Sequence, residues 1–219
     1  MRDIVVLGAG GSAGAIAEMI DSLNAVEPQW RLRGFLDDDP EKAGTTLFGV
    51  PVLGRIDDAT SIGDAAFIIG VASYHRPYGR AEMAARLGLS YQRFATLIHP
   101  LATVSLNARV GAGVLVFPYA VVSDGATVGD HAYLSSFCFV GHDVVVGYAA
   151  TMAPRSSLHG RSRLGSSAYA GSHSALKEGL SVGEGAVLGM GAIVIHDVPP
   201  GAVVAGNPAR PIVESAVTD

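Results

Sequence analysis

Only one cysteine, Cys138, stands in the 219 residues, which rules out an intrachain disulfide and any zinc site built on several thiolates. Charge is sparse as well: Asp, Glu, Lys and Arg make up 16% of the chain, and the formal net charge is −5. A broad nucleic-acid surface needs Lys and Arg massed on one face, so that class of partner is not expected. No apolar run reaches bilayer-spanning length, and the Met1–Asp3 start has no basic-then-apolar leader, so the cytoplasm is the expected compartment. What is present is 49% hydrophobic residues and 28 glycines, the composition of a compact β-rich protein with tight corners, long enough for one or two domains.

The dominant pattern is a beat of six. Starting at Ile98, every sixth residue is apolar: Val104, Val110, Val116, Val122, Val128, Leu134, Val140, Val146, Met152, Leu158, Leu164, Ala170, Leu176, Val182, Leu188 and Val194. Neither a 3.6-residue helix nor an alternating strand keeps that register. A hexapeptide repeat is the signature of a parallel β-helix, in which each short strand turns its apolar residue into a shared prism core and small residues take the corners. Three hexads close one triangular coil, so residues eighteen apart stack roughly 4.8 Å from each other.

Upstream of the repeat the punctuation differs. Ile4–Leu7 is an apolar run ending in Gly8-Ala9-Gly10-Gly11-Ser12-Ala13-Gly14, after which Ile16, Ile20 and Leu23 recur at helical spacing. This reads as strand, glycine turn, helix. Arg31–Leu36 and Ala66–Ile69 read as further strands, Pro77–Leu87 as a helix and Tyr91–Thr96 as a last strand, which together imply a small parallel sheet covered by helices. The expected division is therefore an α/β domain over 1–97, a β-helix over 98–211 and a C-terminal tail over 212–219, of which 214–219 is expected to fray. Ile98-His99-Pro100 begins the coils with no flexible linker, so a rigid junction is expected.

Two places carry chemistry. The turn meets the G-x-G-x-x-(G/A) pattern between a strand and a helix, where backbone N–H groups cradle phosphate at a helix N-terminus. A tight turn that binds nothing is the plain alternative, but the context favours a phosphate ligand at Gly10, Gly11 and Ser12. Asp37 and Asp38, just past the second strand, are candidate ribose or base contacts. The motif does not separate NAD from a nucleotide-sugar.

The second place is His142. Stacking by eighteen puts it in one column with Leu106, Asp124, Gly160, Glu178 and His196, on the outward half of its hexad. His131, His159 and His173 fall in other columns and are expected to be solvated. His142 differs because Asp143 follows it and Asp124 lies one coil away, and a carboxylate partner orients an imidazole and strengthens it as a base.

The glycine turn, Phe35-Leu36-Asp37-Asp38, Ile98-His99-Pro100, Gly141-His142-Asp143, Gly160 and Ala205-Gly206-Asn207-Pro208-Ala209-Arg210, in that order and spacing, resemble the sialic-acid-acetyltransferase/PglD-like family of hexapeptide-repeat sugar acetyltransferases. The likeness covers nearly the whole chain. It implies a left-handed β-helix, a small Rossmann-like N-terminal domain that binds a nucleotide-sugar, and a homotrimer holding acetyl-CoA between neighbouring prisms. It further implies His142 as general base supported by Asp143, the Gly160 N–H at the thioester carbonyl, and backbone contacts from Ser172 and Met190 to the pantetheine arm. Many members carry a second His nine residues after the first, where this chain has Thr151, and a His after the paired glycines, where it has Ser12. A threonine hydroxyl can donate one hydrogen bond but cannot take a proton as imidazole does.

Column arithmetic separates Thr151 from His142 by half a coil, and places Ser172, Met190 and Pro208 in a column two hexads from Gly160. If all serve one cofactor, they come from adjoining subunits, and C₃ is an ordinary closed symmetry. The expected reaction is direct acetyl transfer from acetyl-CoA to the amino group of a nucleotide-linked 4-amino-4,6-dideoxy sugar, with Cys138 packed inside rather than acting as nucleophile. The nearest rival is an O-acetyltransferase on a sialic acid or glycan precursor. A metal-dependent carbonic anhydrase-like protein would need three histidines around zinc, and these histidines are scattered, so no metal is expected. An NAD-dependent enzyme or a non-catalytic module would leave the coils unexplained.

Overall fold

A computed structural model describes residues 1–212, so the fraying expected for 214–219 lies outside the described residues. The N-terminal unit is a five-stranded sheet ordered β3-β4-β2-β1-β5, made of β1 (Arg2–Leu7), β2 (Trp30–Leu36), β3 (Thr46–Leu47), β4 (Val50–Gly54) and β5 (Ala66–Ile69). All pairs are parallel except β3 with β4. Central β1 is apolar on both faces, and Ile4, Val5, Val6 and Leu7 are fully buried, as a strand covered on both sides requires. Helix α1 (Ala13–Val26) sinks Ala13, Ile16, Met19 and Ile20 into one side. Helix α2 (Gly79–Leu87) closes the other with Ala84 and Leu87, and stops at Gly88, which takes a left-handed conformation (φ 56°).

One local expectation is corrected, and one element is added. The 91–96 segment is not a strand: Tyr91–Arg93 forms a 3₁₀ turn, and Phe94 makes a lone parallel bridge to Phe67. Arg93 is pinned to the carbonyls of Ala65 and Ile62, so the chain has room for one bridge before it enters the coils at Leu97. The connector after Asp39 hides the β3–β4 hairpin, turned by Phe48 and Gly49, both at positive φ, as a two-residue hairpin loop demands. The hairpin lays the Phe48 ring so close to α1 that a Cβ on Gly14 would fall 2.6 Å from it.

From Leu97 the chain winds as a left-handed parallel β-helix. Successive two-residue strands fall in turn onto three faces, and the strands up to Ile193–Val194 pair in register with those eighteen residues away, for example Val121 with Thr103 and Phe139; in the last coil the spacing drops to sixteen, as Val187 pairs with Val203. The second residue of each pair points inward, and Val122, Val128, Leu134, Val140, Val146, Met152, Leu158, Leu164 and Ala170 are 0–2% exposed. Corners repeat a left-handed residue, as in the column Gly125, Asp143, Arg161 and Gly179. A long side chain such as Arg161 costs about 1–2 kcal/mol there. The ladder hydrogen bonds and the continuous core of stacked coils offset this strain.

One face runs through Leu97, Leu115, Tyr133, Thr151, Tyr169 and Val187, and the N-terminal unit covers its upper part. Leu97, Leu115, Phe117 and Tyr133 share an apolar core with Ile16, Met19 and Ile20 of α1. The second face carries Phe139 and Ser157, and the third Val145 and Arg163. At the Ile98-His99-Pro100 junction, where a direct entry into the coils is expected, the two units bury one another's side chains.

Candidate functional site

The glycine turn caps the carboxyl end of β1, beside the point where the chain order of the sheet reverses between β1 and β5. Crevices at such points receive ligands in open α/β sheets. Gly8 needs its φ of 104° and close approach to Val71, since a Cβ there would lie 2.9 Å from the Val71 side chain. Gly10 and Gly11 face open space. Among the described residues the N–H groups of Gly11 and Ser12 make no backbone hydrogen bond. Helix α1 begins with no side-chain cap and no acidic residue in its first turn, leaving its positive end uncompensated. An opening of about 260 Å³ lies over Gly10, Gly11 and Ser12. It adjoins a cleft of about 390 Å³ that includes Asp37, Asp38, Val71, Arg76 and Arg86 in its wall.

The two aspartates are already engaged. Asp37 accepts the Ala9 N–H at 2.6 Å on one oxygen, which also takes Lys42 Nζ at 3.2 Å, and the Asp39 N–H on the other. Burial pushes its carboxyl up, but those hydrogen bonds outweigh it and hold the group below the usual carboxylate range. Asp38 accepts from the Ile56 N–H and from Arg86 at 2.9 Å. There too burial is outweighed by the partners, and the pKa is lowered. Both side chains therefore brace the crevice, Asp37 by tying the glycine turn to β2 and Asp38 by tying α2 to the end of β4.

On the coils, His142 and Asp143 occupy the corner between the second and third faces. The strands Phe139–Val140 and Val145–Val146 fix that corner, and Asp143 takes the left-handed conformation (φ 58°) that a short polar side chain tolerates. His142 Nδ1 lies 3.0 Å from Asp143 Oδ2, with both side chains exposed. Asp124 does not join them. Its carboxylate turns to Asn107 Nδ2 at 2.7 Å and Ser105 Oγ at 3.2 Å. Directly along the column, Gly160 lies under the imidazole, and a Cβ there would fall 2.3 Å from His142 Nε2. The Gly160 N–H has no acceptor in the coil. The corner thus combines a carboxylate-anchored imidazole, with Nε2 facing outward from the pair, and a free amide donor.

The other expected site residues stand apart. Thr151 lies on the domain-facing side, 6% exposed, its Oγ1 accepting from Arg80 Nη2 at 2.7 Å. Ser172 and Met190 sit at the corner between the first and second faces, where Met190 is 78% exposed and the Ser172 carbonyl accepts the Gly191 N–H, but Pro208 leaves the column expected for it: Val203 pairs with Val187 only sixteen residues back, and past Gly206 the chain turns into the antiparallel strand Arg210–Pro211. Within one subunit they do not meet His142. The solvated His131 expected from column arithmetic is corrected: it is 5% exposed, edge-on to Phe94 and Tyr148, with Nδ1 unpartnered among the described residues. Burial lowers its pKa. His159 and His173 are exposed, as expected. Among the described residues no cluster of three or more metal-ligating side chains forms, and no helix is long and apolar enough to cross a membrane.

Residues 3–76 match the PglD N-terminal domain family. The acetyltransferase domain of PglB from Neisseria gonorrhoeae FA1090 superposes with a TM-score of 0.83 at 30% identity, over 97% of this chain and 100% of that one. The chain belongs to the PglD-like family of sugar acetyltransferases. PerB from Caulobacter crescentus, solved in complex with CoA and GDP-perosamine, is similar to this PglD-like chain over 97% of its length and 98% of PerB, with a TM-score of 0.81 and 26% identity. The UDP-N-acetylbacillosamine N-acetyltransferase of Bacillus subtilis (strain 168) is 31% identical over 118 residues, 53% of this chain. That match spans about half, 51%, of the relative's length.

Proposed function

We propose that this PglD-like protein transfers the acetyl group of acetyl-CoA to the amino group of a nucleotide-linked 4-amino-4,6-dideoxy sugar. The observation that carries the reading is the exposed His142–Asp143 pair lying across Gly160, on a chain whose other domain presents an uncapped glycine turn to a cleft. PerB was solved with CoA and GDP-perosamine, and the PglB domain with acetyl coenzyme A. Those pairings supply the two classes of substrate.

Asp143 takes the Nδ1–H of His142, which leaves the lone pair on Nε2 to receive a proton from the attacking amine. The amine nitrogen forms its bond to the thioester carbonyl carbon, and the Gly160 N–H stabilises the oxygen that becomes anionic. Collapse breaks the carbon–sulfur bond, and the imidazolium returns the proton to the departing thiolate. No acyl-enzyme is needed. Cys138 could not serve as one, since burial pushes its thiol up to about 11 and it is 1% exposed.

The assembly is proposed to be a homotrimer. Ser172, Met190 and Pro208 are then read as the neighbouring prism's contribution to the cofactor groove, and Gly10, Gly11 and Ser12 as the phosphate cradle; Thr151, expected from the sequence in that groove, is left out of it because Arg80 of its own chain holds its buried hydroxyl. The deciding experiment measures thiol release from acetyl-CoA against a panel of UDP-, dTDP- and GDP-linked 4-amino sugars, with mass analysis of the product. An N-acetylated sugar nucleotide supports the reading. Transfer only to hydroxyl groups of a sialic acid or glycan precursor would replace it with the O-acetyltransferase.

A further inference from the structure

Arg80 leaves the first turn of α2 and is 3% exposed. Its Nη1 donates to the His131 carbonyl at 3.1 Å and its Nη2 to Thr151 Oγ1 at 2.7 Å. The guanidinium carbon stands 5.0 Å from the centre of the Tyr133 ring, and Nε has no partner among the described residues. Among the described residues no carboxylate offsets its charge: burial drives its pKa down to about 10, opposed there by Tyr133. It remains a cation at neutral pH. A buried cation without a counterion is poor glue, because apolar side chains of similar volume often hold buried surfaces as well or better. What a guanidinium supplies instead is direction, since its planar fork fixes where several donors point.

The groups it engages bound a single coil. Tyr133 and Thr151 are paired neighbours on the ladder, and the turn of chain between them carries His142 and Asp143 midway, at its far corner. The helix that bears Arg80 also walls the nucleotide cleft through Gly79, Glu82, Met83 and Arg86. The Tyr133 hydroxyl neighbours Ser12 of the glycine turn. One side chain thus ties the cleft wall to both ends of the catalytic coil.

We propose that Arg80 is a positioning residue that keeps the nucleotide cleft in register with the coil bearing His142, so that ligand in the cleft orders that coil. The inference rests on the transfer reading above, and its test has an arm that does not use activity. Hydrogen exchange of the amides between residues 133 and 151 is measured on the full chain, with and without saturating UDP, dTDP or GDP. Binding of nucleotide slows exchange in the wild type, and Arg80→Met abolishes that slowing. In steady state Arg80→Met leaves the KM for acetyl-CoA in place and lowers kcat/KM for the nucleotide-linked amine about tenfold to a hundredfold, the scale of loss that follows misplacement of a reacting group. Arg80→Lys keeps the charge without the fork and shows the same defect.

Unchanged acceptor kinetics with intact nucleotide-dependent protection in folded Arg80→Met would overturn the assignment. So would a wild-type coil that gains no protection from bound nucleotide. Should Arg80→Met fail to fold, Thr151→Val removes the hydroxyl acceptor while keeping the shape, and it must lose the same protection; retained protection refutes the role. If no nucleotide-linked amine is acetylated by the wild type, the transfer reading fails while the exchange comparison still decides Arg80.

Discussion

The imidazole of His142 lies across Gly160 of the next coil, so close that a methyl group on Gly160 would stand 2.3 Å from Nε2. Glycine at that position is what lets the ring rest over the neighbouring rung with its Nε2 beside a free amide. Gly160→Ala should therefore displace the imidazole, the mobile partner, rather than the backbone. The expected outcome is a folded protein with an unchanged melting temperature and turnover down by about 10²-fold or more, on the scale of losing a general base or an oxyanion donor. Circular dichroism with the thiol-release assay checks it, and full activity in Gly160→Ala would separate Gly160 from the site.

Asp143→Asn tests the anchoring carboxylate. Asparagine also tolerates the left-handed corner, so the coil should persist. The carboxamide offers a neutral acceptor or a donor to Nδ1, and the imidazole loses its fixed tautomer. Turnover should fall while the KM for acetyl-CoA stays near the wild-type value. A normal kcat would assign Asp143 to the corner alone.

How much of this was legible in the residues differs between the two halves. Every sixth residue of the repeat reports its own burial, because each coil repeats the same contact. The prism, its columns and the His142–Gly160 stacking follow from counting. Arg80 could not be found that way, since its partners lie 51 and 71 residues on and no local period links them. His131 failed for a related reason. It does point out of the prism, but Phe94 and Tyr148 cover it. One signal was available: Leu97, Leu115, Tyr133 and Tyr169 stand just before the inward residues of one face, and apolar groups in that outward column announce a covered surface. The β3–β4 hairpin was hidden because its turn uses Phe48 at positive φ, where glycine or asparagine is the usual sign.

His131 also predicts a pH dependence. Burial lowers its pKa below the ordinary 6.5, so below that pH the unfolded chain takes up a proton that the folded chain refuses. Stability should be flat with respect to this group above pH 6.5 and decline as pH falls from there towards the depressed value. Urea melts of the wild type and His131→Phe across pH 5 to 8 check it. The acid-side decline should be shallower in the variant, and identical slopes would show that His131 titrates normally.

Cys138 should be inert. With its thiol pushed up to about 11 and 1% exposed, it should react with a thiol reagent only after denaturation. Cys138→Ala should retain catalysis at a modest cost in stability, since the thiol here packs as a small apolar group. Rapid labelling of the native protein would contradict its placement in the core.

The most direct test of the account compares the wild type with His142→Asn in one assay, following thiol release from acetyl-CoA and the mass of the sugar nucleotide together. The account predicts an N-acetylated product from the wild type and a loss of about 10²–10⁴-fold in kcat for the variant, with the same melting temperature because the His142 side chain is exposed. A variant that turns over at the wild-type rate would contradict it.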